Sequence, residues 1–341
     1  MDFLRPVSGP TRDVVAALAD WLDAPEEPAP LVVETSGSTG RPKQVQLSRR
    51  AVLASVMTSR RRLGASGPWL LALPASYVAG VQVICRSLVA GHAPTLLEEH
   101  ASFAEAADAL GEGDRFVSLV PTQLHRLLDT AEGEEALCTF HTVLLGGGPI
   151  DPSLRVRAAK AGVRIVATYG SAETAGGCVY DGLPLDGVGL ALGPDGRIRI
   201  AGPTLFDGYA DDPVLTEQVL VDGWFHTADA GRFDEDGRLV VLGRLDDVVV
   251  SGGVNVPTPA VAARLRQHPD VTAAEVLGIP DDEWGMRVVA FVVGDLTLEQ
   301  ARDWVGQVHP RTWAPRSVVA LAEMPLLDNG KPDRLRLRSL A

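Results

Sequence analysis

Apolar positions along the chain change period several times, and the changes mark out its elements. From Asp13 to Leu22 they fall at helical spacing, and Pro25 to Pro30 then forms a stiff acidic connection. Leu31 to Glu34 reads as a strand that feeds a Gly/Ser/Thr-rich loop. Ser48 is placed to cap a helix running through Arg60-Arg61-Arg62. Strands and helices then alternate: strand Trp69 to Leu73, helix Gln82 to Ala90, strand Thr95 to Leu97, helix Phe103 to Leu110. The series continues with strand Phe116 to Leu119, helix Thr122 to Ala131, strand Thr142 to Leu145, helix Pro152 to Ala161 and strand Arg164 to Ala167. Such alternation predicts an α/β fold with a mostly parallel sheet covered by helices.

After Gly176 the texture becomes β-rich. Asp-Gly pairs at 181–182, 195–196, 207–208, 222–223 and 236–237 favour tight turns, which predicts a β subdomain from about Gly177 to Leu242. A last α+β unit follows: helix Pro257 to Gln267, strands Ala273 to Ile279 and Arg287 to Val293, and helix Leu298 to Val308. The expected division is a large N-terminal domain, 1–244, and a small mobile C-terminal domain, 245–341.

Composition narrows the class. The 341 residues are 46% hydrophobic and 22% charged, in keeping with a globular protein of two or three domains. A formal net charge of -13 leaves no basic surplus for a nucleic-acid partner. The most apolar window, Trp69 to Cys85, is broken by Pro74, Ser76, Tyr77 and Gln82, so no membrane span is expected. Cys85, Cys138 and Cys178 form neither a disulfide framework nor a metal-ligand spacing, and Met1 to Pro6 shows no charged-then-apolar pattern, so no signal peptide is expected. A cytoplasmic protein is expected. Its oligomeric state is left open, a homodimer included.

The densest chemistry lies in Thr35-Ser36-Gly37-Ser38-Thr39-Gly40-Arg41-Pro42-Lys43, with four hydroxyls, two glycines and a lysine in nine residues. Bare glycine backbone approaches a polyphosphate closely, hydroxyls add donors and the lysine adds a point charge. The spacing of the common phosphate loop is absent. Only three of the 31 cationic side chains are lysine: Lys43, Lys160 and Lys331. Where arginine does the general work, a retained lysine points to a need for a compact ammonium.

Four more segments are candidates. Thr168-Tyr169-Gly170-Ser171-Ala172-Glu173-Thr174 ends a strand, where α/β sheets place ligands. Its tyrosine can stack on a base and its glutamate can help hold magnesium, or the segment is a turn with a solvated carboxylate. Asp229, after Trp224-Phe225-His226-Thr227-Ala228, suits ribose hydroxyls or is an ordinary hairpin aspartate. Gly243-Arg244-Leu245-Asp246-Asp247 with Ser251-Gly252-Gly253 is a nucleotide contact and hinge, or a linker. Asn329-Gly330-Lys331-Pro332-Asp333-Arg334 is a catalytic tail or an exposed turn.

In this order and at these intervals the five segments resemble the adenylate-forming superfamily of acyl-CoA synthetases, peptide-synthetase adenylation domains and luciferases. The resemblance runs from Leu31 to Arg334. It implies an ATP-dependent, AMP-forming acid–thiol ligase using magnesium and coenzyme A. Thr35, Ser36, Gly37, Ser38, Thr39, Gly40 and Lys43 would then hold phosphates. Tyr169, with Gly170, Thr174 and Gly147, would hold adenine, and Asp229 and Arg244 the ribose. Glu173 would serve magnesium, and Lys331 the reacting carboxylate and α-phosphate. Asp246 would be the hinge, and Gly252 and Gly253 would line the coenzyme A path. Within the superfamily, Leu73-Pro74 through Gly91 and Ala175 through Val188 are most like a short subgroup whose acid carries a second carboxylate. Arg86 is the candidate for that carboxylate, because a guanidinium grips carboxylates bidentately, or it is a snorkelling surface arginine. Tyr77 stands where the superfamily commonly has histidine, and with Gly148 is placed on the acid side. Val254 replaces the usual glutamate after Ser251-Gly252-Gly253. Another acid, a carrier-loading domain and a catalytically silent nucleotide-binding relative remain as alternatives.

Overall fold

The computed structural model describes residues 4–35, 43–326 and 332–341. The chain forms two compact units, Met1–Ala191 with Arg199–His226, and Leu192–Ile198 with Thr227–Ala341.

In the first unit, helix α1 (Thr11–Asp23) buries Val14, Leu18 and Trp21. Strands β1 (Leu31–Thr35) and β2 (Lys43–Leu47) form an antiparallel hairpin whose register runs from Leu31↔Leu47 to Thr35↔Lys43. Helix α2 (Arg49–Leu63) starts where the Ser48 hydroxyl accepts the Ala51 N–H. It stops at Gly64, whose φ of 72° lets its N–H turn back to the Arg60 carbonyl.

A seven-stranded sheet follows, built from β3 (Trp69–Leu71), β4 (Thr95–Leu96), β5 (Phe116–Leu119), β6 (Thr142–Leu145), β7 (Ile165–Ser171), β8 (Gly176–Tyr180) and β9 (Leu183–Pro184). Its order is β4-β3-β5-β6-β7-β8-β9. The first five strands in that order are parallel, and β8 and β9 turn back antiparallel. Runs such as Phe116–Leu119 and Thr142–Leu145 are buried along their whole length, as strands covered on both faces must be. Helix α3 (Val78–Val89) is the crossover between β3 and β4. It begins immediately after Tyr77, and its Gly80 packs so closely on the Pro74 carbonyl that a Cβ would sit 2.1 Å from the oxygen. The helix Ala131–Cys138 also packs here, adding Ala136 and Leu137 to the core formed by Val117, Leu119, Leu124 and Val143.

The β-rich middle contributes β10 (Gly189–Leu192), β11 (Arg197–Ala201), β12 (Gly208–Tyr209) and β13 (Leu220–Val221). Strand β12 returns to the hairpin and pairs with β2, Tyr209 opposite Val45.

Strand β14 (Trp224–Phe233) runs into the second unit at Thr227, and there it pairs with β15 (Leu239–Arg244) from Asp229↔Arg244 to Phe233↔Leu239. Strands β16 (Val248–Ser251), β17 (Val254–Pro257), β18 (Val271–Asp281), β19 (Gly285–Gly294) and β20 (Ser317–Leu321) form a mixed sheet, order β17-β16-β19-β18 with β20 parallel to β19. The helices Thr258–Leu265 and Leu298–Gly306 cover it through Val261, Leu265, Ala301 and Val305. The architecture is the expected one, mixed α/β with a helix-covered parallel sheet, a β-rich middle and an α+β C-terminal part. Among the described residues no helix is long and apolar enough to cross a membrane.

Candidate active site

The hairpin fixes both ends of the Gly/Ser/Thr loop. Thr35 ends β1, Lys43 opens β2, and the two are direct ladder partners. Val33, Val45, Leu31 and Leu47 are buried and anchor the pairing. Ser36, Gly37, Ser38, Thr39 and Gly40 lie outside the described residues. Lys43 Nζ stands 5.2 Å from the centroid of the Tyr209 ring, within reach of its π face.

Tyr209 joins that lysine to the candidate magnesium carboxylate. Its hydroxyl donates to Glu173 Oε1 at 2.8 Å, and both residues are buried. The ring is held edge-on to Phe206, centroids 5.1 Å apart, and the Phe206 N–H donates to the Glu173 carbonyl. The sequence marks Asp207-Gly208 only as a turn. The available signal was an aromatic directly after a turn glycine; its partner 36 residues away is a tertiary fact.

Glu173 sits in a single 3₁₀ turn, Ala172–Thr174, after the last residue of β7. The turn is locked by Thr174, whose Oγ1 accepts from the Ser171 N–H and donates to the Gly176 carbonyl at 2.7 Å. Gly170 has no alternative: a Cβ there would lie 2.1 Å from the Gly176 oxygen. Tyr169 pairs with Val179 just before this point. Of the glycine triplet after β6, Gly146 is forced, since a Cβ would meet Thr168 Oγ1 at 2.4 Å. Gly147 has φ 80°, and a Cβ on Gly148 would meet nothing within 4 Å. Gly147, Gly148, Tyr169, Gly170, Glu173 and Thr174 thus gather at the C-terminal edge of the parallel strands, where such sheets bind ligands.

A lone buried carboxylate fits magnesium held chiefly by substrate phosphates, since that ion keeps waters and takes one or two protein oxygens. No cluster of three or more His, Cys, Asp or Glu side chains that could hold a metal ion occurs among the described residues.

Helix α3 carries the acid-side candidates. Tyr77 caps it and is half exposed. Gln82, in its second turn, is 1% exposed, and neither amide atom has a hydrogen-bond partner among the described residues. Arg86 is buried nine residues from Tyr77, about 13 Å along a helix. Its Nη2 donates to the hydroxyls of Ser59 and Tyr180, at 3.1 and 3.2 Å, and its guanidinium lies over the Trp69 ring. Its buried Nε has no hydrogen-bond partner among the described residues. The polar side chain that α3 holds against the turn at Gly176 is Gln82, whose Cγ lies 3.1 Å from where a Cβ on that glycine would sit. A glutamine inside Val81-Gln82-Val83-Ile84-Cys85 was visible in the sequence as the one break in an apolar run.

In the second unit, Asp229 and Arg244 face each other across the β14–β15 ladder, Oδ1 3.7 Å from Nη1. The Asp229 N–H is held by the Thr227 hydroxyl, which itself donates to the Ile198 carbonyl. A carboxylate and a guanidinium side by side on a rigid ladder suit vicinal hydroxyls. The hinge candidate Asp246 lies in the 3₁₀ turn Leu245–Asp247. Gly252 and Gly253 follow β16 with φ of 56° and 79°. Lys331 lies outside the described residues. Its neighbours are fixed: Pro332 bridges to Leu326, and Arg334 Nε donates to buried Glu275 at 2.8 Å while Nη1 pairs with Asp247. Burial works against the Arg334 charge, but its bonds to Asp247 and Glu275 outweigh that and hold its pKa above the ordinary value.

A model of the AMP-binding enzyme family matches residues 21–210, and a model of the AMP-binding enzyme C-terminal domain matches residues 260–331. The chain belongs to the AMP-binding enzyme family. A probable 2-succinylbenzoate–CoA ligase of Mycobacterium tuberculosis is 43% identical over 319 residues, 90% of this chain and 83% of that protein. The 2-succinylbenzoate–CoA ligase of Listeria monocytogenes is 32% identical, covering 90% and 69%. Among solved structures, o-succinylbenzoate CoA synthetase of Bacillus subtilis, in complex with its acyl-adenylate intermediate, superposes with a TM-score of 0.76 at 26% identity. The match covers 90% of this chain and 68% of that one. An amide bond synthetase of Marinactinospora thermotolerans gives 0.77 at 29% identity, covering 90% and 68%.

Proposed function

We propose that the protein activates 2-succinylbenzoate with ATP and transfers the acyl group to coenzyme A. The observation that carries the substrate is the 43% identity over 90% of the chain to a ligase of that name. The site supports the chemistry. In the first step a carboxylate oxygen attacks the α-phosphorus of ATP, the bond to the bridging oxygen breaks, and pyrophosphate leaves. Charge grows on the phosphoryl oxygens, so cations placed there lower the barrier. Lys43, with Thr35, Ser36, Gly37, Ser38, Thr39 and Gly40, steadies the outer phosphates, and Lys331 serves the reacting oxygens. Glu173, held by Tyr209, would hold magnesium, which would supply positive charge on the phosphates. Tyr169, Gly170, Thr174 and Gly147 seat the base, and Asp229 and Arg244 the ribose.

In the second step the thiol sulfur attacks the acyl carbon, its proton goes to solvent, and AMP leaves. We assign 245–341 as a lid that turns about Asp246 between the steps, withdrawing Lys331 and presenting Gly252 and Gly253 to coenzyme A. Tyr77 and Gly148 border the acid. The acidic net charge disfavours nucleic acid as partner, and the use of ATP and coenzyme A supports a cytoplasmic location.

The test is AMP formation by purified protein with 2-succinylbenzoate, benzoate or a medium-chain fatty acid, with and without coenzyme A. We expect coenzyme A-dependent turnover with the diacid and little with the others. Activation of the diacid followed by transfer only to an amine would favour the amide-forming chemistry of the Marinactinospora neighbour. No pyrophosphate release with any acid would overturn the reading.

A further inference from the structure

We infer that Gln82 is the specificity-determining residue for the acid, its amide hydrogen-bonding the second carboxylate. The inference rests on the reading above. Gln82 is 1% exposed, and both Nε2 and Oε1 lack partners among the described residues. A buried primary amide ordinarily finds partners, and one that finds none in the protein alone calls for a ligand or an ordered water. Packing does not explain the residue. Its neighbours Val81, Val83, Ile84 and Cys85 are apolar and buried, and an aliphatic side chain would fill the same space without an unmet amide.

Its place in the fold gives the ligand. Gln82 lies in the second turn of α3, on the side of the sheet edge where Tyr77 begins the helix. Its Cγ lies against Gly176, where a Cβ would come within 3.1 Å of it. Gly176 has φ 91°, and its carbonyl accepts the Thr174 hydroxyl in the turn that carries Glu173. The amide therefore borders the same turn as the proposed nucleotide and magnesium groups. The amide N–H group can donate to a carboxylate. Four residues on, and hence on the same helix face, stands Arg86, buried and without a carboxylate partner among the described residues. Its charge favours an anion at Gln82 without touching it.

The experiment measures ATP–pyrophosphate exchange with 2-succinylbenzoate and with two mono-acids, benzoate and 4-oxo-4-phenylbutanoate. Wild type is compared with Gln82→Met, close in size but without the amide, and Gln82→Glu. For Gln82→Met we expect KM for the diacid to rise about 10- to 100-fold, as for loss of a hydrogen bond to a charged group. KM for ATP and for the mono-acids, and Tm, should stay near wild type. Gln82→Glu should be worse for the diacid, because like charges meet. An unchanged diacid KM in Gln82→Met, or equal losses for diacid, mono-acid and ATP, would overturn the inference. If wild type prefers another acid, the function reading fails by itself. The variants are then compared on that acid and on its analogue stripped of the extra oxygen, and an unchanged preference overturns the Gln82 role separately.

Discussion

At the scale of single residues, Tyr209 has two loads. Its hydroxyl is the hydrogen-bond donor to a buried carboxylate, and its ring faces the Lys43 ammonium. Tyr209→Phe removes the first and keeps the second. A bond to a charged group is worth about 1.5–3 kcal/mol, so a misplaced Glu173 should raise the magnesium concentration for half-maximal pyrophosphate exchange about tenfold or more. KM for the acid should hold. Tyr209→Leu should additionally raise KM for ATP, since Lys43 loses its aromatic face. A magnesium titration that superposes on wild type would sink the positioning role. None of this was legible in the chain. Thr35, Lys43 and Glu173 announce themselves by residue type and neighbours, whereas Tyr209 and Gln82 matter through what long-range packing puts beside them.

At the scale of elements, the parallel strands were the easiest to read. Phe116–Leu119 and Thr142–Leu145 fall where continuous apolar runs place them. Strand β2 was missed because Lys43-Gln44-Val45-Gln46-Leu47 offers only Val45 and Leu47 to the core, and its pairing comes from β1 and β12. Helix α3 begins four residues before the expected Gln82, and its Gly80 is required by close backbone packing rather than by a helix end. The helix Ala131–Cys138 follows its neighbour after two residues, so one helix was expected where two stand. A testable element is the five-residue helix Arg334–Arg338, tied down by Arg334 to Asp247 and Glu275. Arg334→Gln leaves Glu275 buried beside a neutral amide. Arg334 is itself partly exposed, so the expected loss is about 1–2 kcal/mol by urea unfolding. Glu275→Gln in the same background should recover part of it. Superposed unfolding curves for Arg334→Gln and wild type would show that the tie carries no stability.

At the scale of the whole molecule, burial sorts the three cysteines. Cys85 and Cys178 are buried, and desolvation pushes their thiols up to about 12, while Cys138 is exposed. A thiol-specific disulfide reagent at pH 8 should therefore titrate one cysteine in the native protein and all three in denaturant. Rapid native reaction of more than one would mean the core opens readily. The same shifts set a sign for pH. Below about pH 9 the two thiols are neutral whether the chain is folded or not. Between about 9 and 12 the unfolded chain releases protons that the folded chain keeps, so stability falls as pH rises. Composition gave the broad class and the alternating pattern the α/β architecture, but neither could say which thiols the core would hide.

The tail has a mechanical consequence. Pro332, bonded to Lys331, bridges to Leu326; Asp333 donates its N–H to the Pro325 carbonyl; Arg334 is bolted to Asp247, next to the proposed pivot. A crank works only if its handle is keyed to the shaft. With these three attachments, turning the backbone at 245–247 would carry the Lys331 attachment point through the same angle with little backlash. Withdrawing the ammonium would then be the near side of one rotation rather than a second event that must wait its turn.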